Sequence, residues 1–142
     1  MEPKVTTFFY GSFINLDVLA KVEIVPERVD VALLSGFDIR IRPLANLVRS
    51  EQHCVYGILT AATHAELERL YAYARDGLGG TYLPEAVLTQ TLYGRFQPAL
   101  CYIAHELPDA PPSAEYVERI VGPARRLGFP AWYLERLESF RP

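Results

Sequence analysis

The chain has 142 residues, 50% hydrophobic and 22% charged, the balance of an ordinary globular protein with one proper core. Its formal net charge is -3 and no run of basic residues exceeds two, which argues against nucleic acid or an anionic membrane as the main partner. No apolar run is long enough to span a bilayer, the first residues lack the layout of a signal peptide, and a cytoplasmic location is expected.

Residues 6–10 read as a short strand that runs into Gly11-Ser12-Phe13. Glycine lets a ligand approach the backbone, and successive N–H groups in such a turn form a small anion-binding nest. Residues 29–42 read as a long strand or bent pair, with Phe37, Ile39 and Ile41 alternating onto one face. Segments 45–48 and 53–61 look like two strands around a polar turn at Arg49-Ser50-Glu51-Gln52. Thr63-His64-Ala65-Glu66 is a capping box, so a helix begins there, with Leu67, Leu70, Tyr71 and Ala74 at helical spacing. The helix is expected to end near Arg75, because Asp76-Gly77-Leu78-Gly79-Gly80 favours a loop. Residues 82–92 and 98–104 form a strand pair turning at Tyr93-Gly94-Arg95.

The last third is helical. Ser113 is a good N-cap, and Tyr116, Ile120, Ala124 and Leu127 mark an apolar face. Gly128 stops this helix and Pro130 suits the first turn of the next. Pro123, inside the first of the two, is expected to kink or shorten it. No linker or repeat divides the chain, so residues 1–142 form one domain. Strands with one helix between them, then helices, argue for α+β, and the Gly-punctuated turns suit a small mixed β-barrel with flanking helices.

The two cysteines, Cys54 and Cys101, lie in apolar strand-like segments and read as buried thiols. His53, His64 and His105 show no metal-ligand spacing, so no metal site is expected.

Four features carry a resemblance: Tyr10-Gly11-Ser12 at a strand end, Ala45-Asn46-Leu47-Val48 followed by Val55-Tyr56-Gly57, Tyr82 opening a later strand, and the C-terminal series Ala110-Pro111-Pro112-Ser113, Tyr116, Ile120, Ala124, Gly128, Pro130, Tyr133. In these the chain resembles the γ-glutamylcyclotransferase-like family over nearly its whole length. The resemblance implies a small mixed barrel flanked by helices. It implies conversion of a γ-glutamyl amide to 5-oxoproline and a free amine, without metal or organic cofactor. It also implies a small-molecule substrate held by Tyr10, Gly11, Ser12, Phe13 and Tyr82. A homodimer is compatible with the sequence.

The family's glutamate, a general base, stands in a Leu-Asp-x-x-Glu-Gly pattern. Here Leu70-Tyr71-Ala72-Tyr73-Ala74-Arg75 occupies that stretch. Counting from Leu70 puts Ala74 at the glutamate position; counting back from Tyr82 puts Arg75 there. Asp76, followed by Gly77, is the nearest carboxylate, and Glu85 is a second candidate. Tyr71 and Tyr73, where the family has polar residues, suggest a more apolar pocket. Three functions stay open: a cyclotransferase with a displaced base, a diverged enzyme catalysing another cyclisation or tailoring step, and a non-catalytic ligand-binding domain.

Overall fold

The computed structural model describes residues 2–142. Five strands, β1 (Lys4–Phe9), β2 (Asp30–Ile41), β3 (Ala45–Thr63), β4 (Tyr82–Thr91) and β5 (Phe96–Ala104), close a small barrel in the order β1-β3-β2-β4-β5. The seam is the only parallel pairing among the described residues, Thr7 with Leu100 and Phe8 with Cys101. β2 and β3 form a long antiparallel hairpin, and so do β4 and β5. Four helices flank the ring: α1 (Leu16–Ala20), α2 (His64–Tyr73), α3 (Ala114–Arg126) and α4 (Ala131–Glu138). The α+β barrel expected from the strand pattern is the observed class.

Three local expectations are corrected. β3 is one strand of 19 residues, not two strands around a turn. Both of its halves pair with the same partner, β2, and the register shifts between Ser35 and Phe37, opposite the polar stretch. The polar residues are therefore a bulge, which bends a strand without reversing it. Helix α2 does start at the Thr63 capping box, but the chain beyond it stays helical. A π turn, Ala74–Leu78, follows directly and stops only at Gly79, whose φ of 86° is open to glycine.

Pro123 neither breaks nor shortens α3, which continues to Arg126. A proline has no N–H, so the carbonyl four residues back loses its helical donor. That carbonyl belongs to Arg119, and the Asn15 side-chain amide donates to it at 3.2 Å. The same side chain caps α1, its Oδ1 accepting from the Asp17 N–H at 3.0 Å. Asn15→Ala removes both bonds and is expected to cost about 1–3 kcal/mol in urea unfolding. An Asn15→Ala protein as stable as wild type would refute this role.

Helix α4 is pinned to β2 by Arg136, whose Nη2 lies 2.9 Å from the buried Asp38 carboxylate. Tyr56, Phe129, Trp132 and Tyr133 pack as an aromatic cluster between α4 and β3. Both cysteines are free; Cys101 is buried and Cys54 only half-buried.

Candidate functional site

β1 delivers Tyr10 and Gly11 to the barrel end, where a 3-10 turn, Ser12–Ile14, begins. The Ile14 and Asn15 N–H groups close that turn on the Gly11 and Ser12 carbonyls. Gly11 must be glycine: a Cβ there would stand 2.6 Å from the Ala45 Cβ. Ala45 is itself held at both backbone groups. Its N–H donates to the Tyr116 hydroxyl oxygen at 2.9 Å, and its carbonyl accepts from the Tyr82 hydroxyl at 2.5 Å. The Tyr10 hydroxyl donates across the seam to the Tyr102 carbonyl at 2.7 Å.

These residues enclose a cavity of about 30 Å³, room for about two waters. Tyr10, Gly11, Ser12, Phe13 and Tyr82 all line it. So do Tyr71, Ala74, Leu78, Tyr102 and Tyr116, of which the sequence pointed only to Tyr71 as a pocket residue. Tyr71 stands at the centre of the wall. Its ring stacks on Tyr102 at 3.8 Å and 12°, and meets Phe13 edge-on at 5.5 Å. Tyr73 is absent from the lining and packs its ring on Gly77 instead.

No carboxylate lines the cavity among the described residues. Asp76 is exposed and held by Arg75, Nε to Oδ1 at 3.0 Å and Nη2 to Oδ2 at 3.2 Å. The Arg75 hydrogen bond and charge lower the Asp76 pKa, which makes it a weaker base. The helical turn explains its position: two residues beyond Ala74, a side chain points about 160–200° away. Glu85 is paired with Arg49 and sits opposite Cys101 on β5. Ala74, fully buried, is the one of the two aligned positions that lines the cavity; Arg75 is exposed.

The cavity hydroxyls are neutral at physiological pH. Burial pushes the Tyr10 and Tyr71 hydroxyls well above the ordinary tyrosine value, with neighbouring phenols adding to it. Burial also raises Tyr82. Tyr116 is raised by burial, partly offset by the Ala45 N–H and the Ser12 hydroxyl. The nearby Cys101 thiol is pushed up to about 12 by burial and then by the Glu85 charge, so it is no nucleophile near neutrality. The arrangement can orient a small polar molecule and hydrogen-bond to it. Among the described residues no group of His, Cys, Asp and Glu could hold a metal ion.

A structure called γ-glutamyl cyclotransferase superposes with a TM-score of 0.80 at 22% identity, over 99% of this chain and 89% of the other. The chain has the γ-glutamyl cyclotransferase-like fold. An uncharacterized protein from Homo sapiens matches with a TM-score of 0.82 at 22% identity, over 99% and 90% of the two chains. A yeast γ-glutamyl cyclotransferase specific to glutathione matches with a TM-score of 0.65 at 13% identity, over 97% of each. No protein-family model matches the sequence, and no curated protein matches it. No helix among the described residues is long and apolar enough to cross a membrane.

Proposed function

We propose that the protein closes a ring within a small amide, a γ-glutamyl amine being the model substrate, and releases 5-oxoproline and the free amine. The observation that carries this reading is the cavity at the Gly11-Ser12 turn, on a scaffold shared with γ-glutamyl cyclotransferases. The substrate's α-amine nitrogen attacks its own γ-carbonyl carbon and the amide C–N bond breaks. The proton given up by the α-amine passes through solvent or a neutral hydroxyl to the leaving nitrogen. Ser12 and Phe13 N–H groups are the proposed donors to the carbonyl oxygen, and the tyrosine wall holds the folded-back conformer. A volume of about 30 Å³ is smaller than a glutamyl group, so binding needs the lining side chains to move apart.

The proton step is the distinctive part. With no carboxylate in the lining, the environment itself favours the neutral amine, because burial disfavours an ammonium. The rate of 5-oxoproline release is therefore expected to climb with pH from 6 to 9, following the substrate amine, and Asp76→Asn is expected to leave that profile in place. An acid limb near pH 5 that disappears in Asp76→Asn would overturn this and assign Asp76 the base. The missing carboxylate also favours a second reading, a domain that binds such molecules without turning them over. Absence of 5-oxoproline from every γ-glutamyl amine tried, with binding retained, selects it.

A further inference from the structure

Tyr71, Tyr82 and Tyr102 border more than the small cavity. They also line an open cleft of about 440 Å³, together with His64, Glu68 and Arg75. We propose that this cleft binds a cationic nitrogen, with Glu68 as its counter-ion and the tyrosine rings as its floor. The charge balance carries the assignment. Arg75, the one guanidinium in the lining, is already committed to Asp76 through two contacts of 3.0 and 3.2 Å. Glu68 enters no ion pair among the described residues, so its carboxylate is the unpaired acidic group of the lining. It lies one helical turn before Tyr71 and Ala72 and one turn after His64, on the face that borders the cleft. Its field already reaches the wall: the Tyr102 hydroxyl is raised by burial and then by Glu68. Aromatic faces beside a carboxylate suit an ammonium, which gains from both.

Asp76 thereby acquires a role outside the cavity, as the group that cancels Arg75. If the ring closure proposed above directs the leaving amine into this cleft, a charge on that amine would meet Glu68. The preferred substrates would then be γ-glutamyl amides of diamines, whose second nitrogen is charged. The cleft assignment itself does not depend on that chemistry.

Titrating the full chain with diaminobutane, butanediol and succinate, followed by amide NMR, tests it. Diaminobutane is expected to shift amides in segments 64–75 and 81–83, while the neutral and anionic four-carbon probes do not. Glu68→Gln is expected to weaken diaminobutane at least about threefold, and Asp76→Asn to weaken it as well by releasing Arg75. Equal shifts with butanediol, binding of succinate in place of the diamine, or an undiminished response in Glu68→Gln would overturn the assignment. Diaminobutane binding without 5-oxoproline production overturns the ring closure and keeps the cleft. Turnover of neutral γ-glutamyl amines with no diamine response does the reverse.

Discussion

Gly57→Ala is expected to lose at least about 3 kcal/mol of stability, enough to unfold a marginal domain. A Cβ at Gly57 would lie 2.2 Å from the Phe9 carbonyl oxygen and 2.7 Å from the Phe8 ring. The first of these is backbone and cannot swing aside. Relief requires β1 to move off β3, against the antiparallel register from Lys4↔Thr63 to Phe9↔Ile58. β1 also carries the Tyr10-Gly11 turn, so any protein that does fold should show a displaced turn and weaker ligand binding. Thermal denaturation checks the first effect; a Tm within a degree or two of wild type would show that the close approach of the strands is not needed.

Ala74→Glu is expected to give the largest change in activity. Ala74 is the aligned position that faces the cavity, and a glutamate there places a carboxylate against a wall of neutral hydroxyls. Burial would raise its pKa towards neutrality, which suits a general base. At pH 7 the release of 5-oxoproline is expected to rise by about 100-fold, the lower range for a positioned base. The profile should also acquire a further acid limb, set by the new carboxylate and separate from the one that follows the substrate amine. The added volume enters a fully buried position, so a stability loss of about 1–3 kcal/mol accompanies the gain. A folded Ala74→Glu protein with unchanged rate and profile would mean that ring closure at this cavity is not limited by proton transfer.

Much of the fold was legible because its signals are local. The Thr63 capping box needs only four consecutive residues, and both reciprocal bonds are present. The Ser113 cap and the turn at Tyr93-Gly94-Arg95 are as local, and both form. Where local signals failed, a partner elsewhere in the chain had prevailed. The polar stretch of β3 resembles a turn, but pairing with β2 on either side of it holds the strand together. Pro123 would disturb an isolated helix, but Asn15, remote in sequence, supplies the missing donor.

The sequence alone determined the class of fold, the strand end at Tyr10-Gly11-Ser12, and the mismatch at the residues that follow Leu70. The first two follow from periodicity and turn residues read within a few positions; the third follows from the resemblance to the family's motif. Only the tertiary structure decided what faces the ligand. Ala45 meets Tyr116 across 71 positions, and Tyr10 meets Tyr102 across 92. No short window holds such contacts. The phase of the helical turn after α2 was decided there too: it puts a methyl group in the cavity and the carboxylate of Asp76 in solvent, since a shift of two residues is about half a turn.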